Sequence, residues 1–375
     1  MKSQFLQFML RFFLFICMHA AFSLSAFAQI VSLNNREIIS LQSAIKKDSK
    51  AKKLYDSFNI AAIRYLEDQP NPIDTIRTEG LLKGNPQKVK TQQALADMGK
   101  MFTLALQYRL TEDKKYLIKC AYFLTTWAMV NHPNGNPIDD TNLDKAVEAY
   151  DLIKDDISVK DKIIIERWLK EAANAEINSK RMKPGRATAI NNWNAHRLKV
   201  VGEIGYALKD QHLIDWTIEN LKSHIDINLY ADGTSLDFKE RDAMHYHIYD
   251  LEPMLKLAIM IDRAKGQNLY TYASTKGSSI KKSVEWMIPY IKGEKLHEEY
   301  ANTTVKFDRD RAKNNEPGFA PGTMFDPKLA LPVLKLSVYF DAGQMPLLND
   351  LNKGLDFPML IDQIKRERKQ NFQNK

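Results

Sequence analysis

Apolar residues that recur every three or four positions run through almost the whole chain, and this pattern constrains the fold more than any other feature. Positions i, i+3, i+4 and i+7 are repeatedly apolar, as in helices that bury one face. Alternating patterns typical of strands are nearly absent from the sequence. The predicted helices cover residues 41–54, 91–110, 114–130, 143–154, 159–177, 190–208, 211–229, 242–265 and 278–292. The sequence therefore predicts an all-α fold.

The connections between these helices indicate how they pack. Short connections such as Lys209-Asp210 imply antiparallel neighbours, so the helices form hairpins that build either an α-solenoid or a closed toroid. A solenoid repeats a unit of about 34 to 47 residues with recurring side chains, and the sequence shows no such recurrence. Three longer connections, at 68–90, 132–141 and 179–189, are rich in Pro, Gly and Asn. Because loops of this length are usually functional, we expect an incomplete (α/α) toroid with its long loops around one mouth.

The composition is that of a globular protein. Of the 375 residues, 44% are hydrophobic and 27% are charged, which excludes collagen-like and low-complexity chains. The formal charge of +8 is compatible with an acidic partner. The basic residues are dispersed rather than gathered in a stripe, so no nucleic-acid partner is expected.

The N-terminal residues have the features of a signal peptide. Lys2 and Arg11 provide positive charge, 12–22 is an apolar stretch, and small residues precede a cleavage point after Ala28. The rival interpretation is a membrane anchor, but the apolar stretch is marginal in length for crossing a bilayer, and no basic stop-transfer cluster follows it. We therefore expect a periplasmic or secreted protein with no membrane span in its mature chain. The predicted organisation is a signal peptide at 1–28, a single domain at 29–354 and a charged C-terminal tail at 355–375.

The first unusual segment, 191–199, places polar residues where helical periodicity expects apolar ones. Asn192, His196, Lys199 and Glu203 fall on one stripe of the predicted helix. A solvated face is the simpler interpretation, but Asn and His are only mid-ranking helix formers, which an exposed face has no reason to choose. We therefore interpret this stripe as facing a site. Asn191 can instead serve as the helix cap.

The second unusual segment, 232–249, follows an Asp-Gly turn and places His245, Tyr246 and His247 in succession at the start of a helix. Consecutive residues lie about 100° apart around a helix, so the three side chains cannot all face one site. Two lines of side chains result, with Arg241, His245 and Tyr249 on one and Asp242, Tyr246 and Asp250 on the next. One of these lines is expected to face a cavity.

Several catalytic classes find little support in these segments. His245 and His247 are two positions apart and cannot chelate a metal from one helix face, and no His-x-x-x-His motif with a nearby carboxylate occurs. The Gly-x-Ser-x-Gly elbow of serine hydrolases is also missing. A pair of carboxylates, as in glycosidases, stays open because the 46 acidic residues offer many pairs.

At these two segments the chain resembles the alginate lyase family, in particular the mannuronate lyases of polysaccharide lyase family 5 and their relatives. Those proteins carry an Asn-Asn-His-type motif, then an Asp-Gly turn, then an Arg-containing stretch that ends in a Tyr-His pair. The counterparts here are Asn191-Asn192-Trp193, Asp232-Gly233 and 241–247. The resemblance implies an (α/α) toroid that cleaves an acidic polysaccharide by β-elimination, without metal or cofactor. Such an enzyme neutralises the uronate carboxylate, removes the C5 proton and protonates the leaving O4.

The resemblance also implies roles for individual residues. Asn192 is expected to bind the carboxylate, and Tyr246 to act as the acid and also as the base. Arg241 stands near the family's Arg, with Lys239 as the other candidate. Trp193 stands where the family has its catalytic His, so His196, one turn further on, is expected to reach the same cavity; Trp193 itself would stack on a sugar or pack in the core. The expected substrate-binding residues are Asn191, Trp193, Lys199, Lys239 and His245.

A tyrosine base imposes an electrostatic requirement. Lowering its pKa by two units from ~10 needs about 2.7 kcal/mol of differential stabilisation. A cation about 4 Å away in a partly dry cleft supplies roughly that much, so the hypothesis requires Arg241 or Lys239 beside Tyr246. One tyrosine can serve mannuronate or glucuronate, whose C5 proton and O4 leave from the same side. Guluronate needs groups on opposite faces, which would bring in His196 or His245.

The sequence therefore predicts a polysaccharide lyase with a polyuronate substrate. Two alternatives remain: a glycoside hydrolase on the same scaffold, and a non-catalytic polysaccharide-binding protein, which the loss of the family's His at Trp193 would explain.

Overall fold

The computed structural model describes residues 29–373, with side chains up to residue 367. The predicted signal peptide at 1–28 lies outside the described residues. The helices are α1 (Asn35–Lys47), α2 (Ser49–Tyr65), α3 (Pro86–Thr111), α4 (Lys114–Val130), α5 (Pro137–Asp140), α6 (Asp144–Ile153), α7 (Val159–Ile177), α8 (Asn192–Leu208), α9 (Gln211–Asn228), α10 (Leu236–Arg241), α11 (Met244–Lys265), α12 (Ile280–Ile291), α13 (Lys306–Lys313), α14 (Leu331–Ser337), α15 (Met345–Leu351) and α16 (Phe357–Gln373). Short 3₁₀ turns lie at Thr141–Leu143, Lys180–Met182, Ala187–Ala189, Pro327–Ala330 and Ala342–Gln344.

In the described part of the chain, strands are confined to one small two-stranded sheet. β1 (Glu298–Glu299) pairs antiparallel with β2 (Thr323–Met324). The prediction of an all-α fold is therefore confirmed. No helix between residues 29 and 373 is both long and apolar enough to cross a membrane.

Two of the differences from the predicted helix boundaries show the effect of local capping. The predicted helix 41–54 is two helices, α1 and α2, separated at Asp48, whose carboxylate accepts hydrogen bonds from the Lys50 and Ala51 amides at 2.7 and 3.3 Å. The helix predicted from residue 242 begins at Met244 instead. Asp242 has a φ of 49°, in the left-handed region, and ends the short helix α10.

Helices α8 and α11 form the centre of the fold. α8 packs between α9 and α11, and it also contacts α6 and α7. Gly202 permits this close packing, since a Cβ at this position would lie 2.5 Å from Leu257 Cδ1 on α11 and 2.9 Å from Thr217 Cγ2 on α9. The start of α8 and the start of α11, which carry the two unusual segments, are thereby held next to each other.

The C-terminal residues belong to the packed structure. α16 contacts α1 and α2, and it contributes apolar residues to the main core, namely Phe357, Met359, Leu360, Ile361 and Ile364. The prediction of a charged tail from residue 355 overlooked these residues because the Lys, Arg and Glu of 365–369 dominate the composition there. Cys120 is fully buried, and its thiol donates to the Met101 carbonyl at 3.3 Å.

Candidate active site

A cavity of about 240 Å³ opens where the loop before α3, the starts of α8 and α11, and α13 with its following loop meet. Both unusual sequence segments contribute to it. The residues around it include Thr78, Glu79, Lys88, Asn192, Trp193, Arg241, His245, Tyr246, Tyr249, Phe307, Arg311 and Phe319. A concave site with aromatic walls and a few converging polar groups is the usual form of a ligand-binding pocket.

The start of α11 is fixed by a carboxylate. Glu299 of β1 accepts hydrogen bonds from the Met244 and His245 amides at 2.9 and 3.1 Å. A carboxylate at this position satisfies free amides and interacts favourably with the helix dipole. The small two-stranded sheet thereby sets the direction in which His245 and Tyr246 enter the cavity.

Tyr246 is in contact with two guanidinium groups. Its hydroxyl accepts a hydrogen bond from Arg311 Nη1 at 2.5 Å. Arg241 lies over its ring, with Cζ 3.7 Å from the ring centroid, and is held there by an ion pair with Asp308 at 2.5 Å. Burial raises the pKa of Tyr246 and both arginines lower it; burial prevails, so the pKa lies above its ordinary value of 10.0. The phenol is therefore protonated at neutral pH.

These contacts correct two expectations about the cation. Arg241 is beside Tyr246 as required, but the group on the hydroxyl is Arg311, which sequence reasoning did not single out. Lys239 points elsewhere: its ammonium lies 3.6 Å from the Tyr230 ring centroid and 3.6 Å from Asp232, and it does not line the cavity. The net pKa shift of Tyr246 is also opposite to the lowering that a tyrosine base requires, because the phenol is 5% exposed.

Asn192 lies at the first turn of α8, 1% exposed, and is held by a buried carboxylate. Its backbone amide donates to Asp237 Oδ2 at 2.8 Å, and its side-chain amide donates to Asp237 Oδ1. Asn228 donates to the same carboxylate at 3.0 Å. Asn191 is the N-cap, accepting from the Trp193 amide at 3.1 Å, and does not line the cavity. The cap interpretation of Asn191 is therefore confirmed.

His196 does not take the place of the family's His in this structure. Its Nδ1 is 2.9 Å from the Thr141 hydroxyl, and its ring packs against Tyr249 with the centroids 4.2 Å apart. The side chain is buried, and it is Tyr249 rather than His196 that lines the cavity. Burial, with Lys199 and Lys256 nearby, holds the pKa of His196 well below its usual range.

Lys199 and Glu203 continue the polar stripe of α8 away from the cavity. Lys199, 3% exposed, donates to the Thr141 carbonyl at 3.1 Å and lies 3.4 Å from Asp144 Oδ2. Glu203 lines a second cavity of about 400 Å³ that α16 helps to enclose. The stripe was expected to face a site, but it is a buried polar face of which only Asn192 lines the candidate site.

Glu203 gives a pH-dependent stability prediction. Burial raises its pKa to about 7, whereas an unfolded Glu titrates at about 4.3. The folded chain therefore holds a proton that the unfolded chain has lost, and stability falls as pH rises between these values, by up to about 4 kcal/mol. We expect Glu203→Gln to raise the melting temperature at pH 8 and to change it little at pH 4. Glu171→Gln, at an exposed position on α7, is the control; an equal effect of Glu203→Gln at both pH values would contradict the assignment.

His245 and Trp193, two of the residues expected to bind substrate, both line the cavity. The His245 ring lies between aromatic neighbours, with centroids 5.1 Å from Tyr246 and 5.7 Å from Phe319. His247 faces the other way: its ring nitrogens lie 2.9 Å from the Ser235 hydroxyl and 3.1 Å from the Ser283 carbonyl, which makes it a structural residue. In the described part of the chain, His, Cys, Asp and Glu form no group of three or more that could hold a metal ion.

Comparisons with known proteins agree with this architecture. An alginate lyase from Bacteroides ovatus has a similar structure, with a TM-score of 0.66 and 17% identity over 87% of this chain and 97% of that one. Alginate lyase A1-III from Sphingomonas species A1 gives a TM-score of 0.55 and 17% identity over 81% and 95%. A tyrosine-to-phenylalanine variant of A1-III, complexed with tetrasaccharide, gives 0.56 and 17% over 71% and 79%. At this identity these structures support the toroid fold alone.

The family comparison reaches further than the structural one. No curated protein matches the sequence. The family model described as alginate lyase matches residues 39–297, which is more than half of the chain and includes both segments that form the cavity. The chain therefore belongs to the alginate lyase family and is a polysaccharide lyase.

Proposed function

We propose that this protein cleaves a mannuronate- or glucuronate-type polymer by β-elimination in the 240 Å³ cavity. The observation that carries the proposal is the Tyr246 phenol, which receives a hydrogen bond from Arg311, lies under Arg241 and shares the cavity with Asn192. A proton-transfer group and three groups that can donate to a carboxylate are therefore gathered at one small site.

The chemistry of elimination accounts for each of these groups. The C5 proton of a uronate is adjacent to its carboxylate, and it becomes acidic when donors neutralise the negative charge that develops there. Arg311 and Asn192 supply such donors, and Arg241 adds positive charge. The Tyr246 phenol then protonates O4 as the C4–O4 bond breaks, and Arg311 stabilises the phenolate that remains.

The placement of the titratable side chains of α11 favours one class of uronate. His245 and Tyr246 are consecutive residues of α11 and enter the cavity from one wall. This arrangement fits mannuronate and glucuronate, whose C5 proton and O4 leave from the same side. A glycoside hydrolase would need two carboxyl groups, and Glu79 is the only acidic residue among the described residues that line the cavity. The tetrasaccharide bound by the A1-III variant supports a saccharide as the occupant.

A panel of polymers tests the proposed function. The protein is incubated with mannuronan, glucuronan and guluronan, and the ultraviolet absorbance of the new double bond is followed together with reducing ends. We expect absorbance to rise on mannuronan or glucuronan. Reducing ends without absorbance would indicate a hydrolase, and binding without either signal would indicate a non-catalytic polysaccharide-binding protein; both results would contradict the proposal.

We also propose that the protein is exported to the periplasm or secreted. The support is the sequence of residues 1–28, which has the charge, apolar stretch and small residues of a signal peptide. When the full chain is expressed in a bacterium, we expect N-terminal sequencing of the exported protein to begin at Gln29. A chain that retains Met1 and stays in the cytoplasm would contradict this prediction.

A further inference from the structure

The half-buried His245 differs from the other buried and half-buried histidines of the described chain in having no hydrogen bond to its ring. Neither of its ring nitrogens has a hydrogen-bond partner among the side chains and backbone described up to residue 367, and the side chain lines the cavity. Each of the others has at least one: His196 at Thr141, His224 at Asn194, His247 at Ser235, and the half-buried His297 at the Asp242 carbonyl. The imidazole of His245 is thus open to a ligand in the cavity.

We propose that His245 is the base that removes the C5 proton, while Tyr246 is the acid that protonates O4. This inference rests on the proposed elimination reaction. The two proton transfers are thereby divided between two neighbouring side chains. From the sequence alone, Tyr246 was expected to perform both transfers.

The geometry suits this division. The rings of His245 and Tyr246 have centroids 5.1 Å apart and are nearly perpendicular, at 82°. Both are directed by the same helix start, which Glu299 fixes through the amides of Met244 and His245. Two groups this close on one wall can reach a proton and an oxygen on the same side of one sugar ring.

The electrostatics of the cavity leave one of the two groups able to donate a proton and the other able to accept one. The Tyr246 phenol is protonated at neutral pH, and because Arg311 donates to its oxygen, the phenol proton is free for O4. Burial, then Arg311 and Arg241, lowers the pKa of His245 to about 4, so its imidazole is neutral and keeps a lone pair.

A bound substrate would strengthen this base. A uronate carboxylate between the two guanidinium groups offsets the positive charge that helps to depress the pKa of His245, and so increases its affinity for a proton. The other titratable groups around His245 include Tyr246 and Tyr249 on its own helix and Glu299 of β1, whose carboxyl group accepts from the backbone amide of His245. Glu79 and Lys88 line the same cavity from the loop before α3 and from α3.

The step balances without any further reactant. An imidazole nitrogen of His245 forms an N–H bond as the C5–H bond breaks, and the electron pair forms the C4–C5 double bond. The C4–O4 bond breaks, and O4 takes the phenol proton of Tyr246. The resulting imidazolium and phenolate are neighbours, so the proton passes from His245 to Tyr246 and restores both groups.

The test replaces His245 with alanine and follows double-bond formation on the polymer that the wild type cleaves. We expect kcat to fall by about 10²–10⁴-fold, the usual contribution of a general base, with little change in KM. Added imidazole should restore part of the rate. His212→Ala, at an exposed position on α9, is the matched control and should keep the wild-type rate.

The pH profile gives a readout that a merely structural role would not change. The wild-type kcat/KM, which reports the pKa values of the free enzyme, should be nearly constant from weakly acidic to neutral pH, since His245 is already neutral there in the free enzyme. The residual rate of His245→Ala should instead climb toward alkaline pH, because only the ionised phenol of Tyr246 can then act as the base. If His245→Ala is unfolded in a thermal melt, His245→Gln is measured in its place, without the imidazole arm.

The outcomes separate this proposal from the proposed function. If the wild type forms no unsaturated product on any polymer, the elimination and the base assignment are both wrong. If the wild type is active and the folded His245 variant retains its rate, only the base assignment is wrong. The base assignment would also be wrong if the variant were slower but kept the wild-type pH profile, and if added imidazole did not restore any of the rate of His245→Ala.

Discussion

Tyr246→Phe is expected to abolish polymer cleavage and leave the protein folded. The substitution removes one oxygen atom, and with it both the proton for O4 and the acceptor of the Arg311 hydrogen bond. The ring itself, which packs under Arg241 and edge-on against Tyr300, is retained. Loss of a general acid typically costs about 10²–10⁴-fold in rate. Initial rates of double-bond formation, with a thermal melt to check folding, measure both effects.

A matched tyrosine variant controls for the loss of a hydroxyl as such. Tyr122→Phe removes a half-exposed phenol on α4 that lies 3.3 Å from Gln69, and we expect it to leave the rate unchanged. If Tyr246→Phe kept about a tenth or more of the wild-type rate, the loss would be smaller than any general acid is expected to cause, and the phenol would not be the acid.

Asn192→Ala should have the next largest effect. Removing one donor that stabilises a developing negative charge usually costs about 10²–10³-fold in kcat, or about 3 to 4 kcal/mol. The variant also deprives the buried Asp237 carboxylate of one N–H partner, which lowers stability by about 1–3 kcal/mol. Rates are therefore measured well below the melting temperature of the variant.

Asn228→Ala separates these two effects of Asn192→Ala. Asn228 also donates to Asp237, at 3.0 Å, but it does not line the cavity. We expect Asn228→Ala to lower the melting temperature and to keep the activity of the folded protein. Equal losses of activity in both variants would show that Asn192 acts only through the stability of this cluster.

Much of the fold could be predicted because helix packing imposes a simple period on the sequence. Among the helices from α3 to α12 that carry an apolar stripe, most were predicted to within two residues of their ends, whereas α3 begins at Pro86, five residues before the predicted start. The break at Asp48 between α1 and α2 was not, because it depends on one side chain capping a helix while the apolar period continues across it. The packing of α16 was hidden for another reason, because the charged residues of 365–369 follow directly after its apolar residues, which include Ile361 and Ile364.

The candidate site was predictable where several polar or aromatic residues stand close together in the sequence at positions that interrupt the apolar pattern of a helix. Asn192, Trp193, His245 and Tyr246 were found in this way and all line the cavity. Arg311 was missed because α13 is almost entirely charged and resembles any solvated helix. Only the fold shows that this guanidinium, 65 residues from Tyr246 in the chain, binds the phenol.

The sequence-based assignment of three residues of α8 to the site rested only on their position on the same stripe as Asn192. These residues are His196, Lys199 and Glu203. A shared stripe means a shared face, but α8 rises by about 1.5 Å per residue, so the stripe from Asn192 to Glu203 is about 16 Å long. A sugar-sized cavity covers only its first turn. The remaining polar groups satisfy each other in the interior, as the contacts of His196 and Lys199 with Thr141 show.

The masses of the products test the central claim, cleavage by elimination, most directly. The wild type is incubated with mannuronan and with glucuronan, and the oligosaccharides are analysed by mass spectrometry. An elimination adds no water, so one product of each cut should be lighter by one water than the corresponding saturated oligosaccharide and should carry the new double bond. Products that all have the mass of saturated oligosaccharides would mean that water had been added, and Tyr246 would then not be the acid of an elimination.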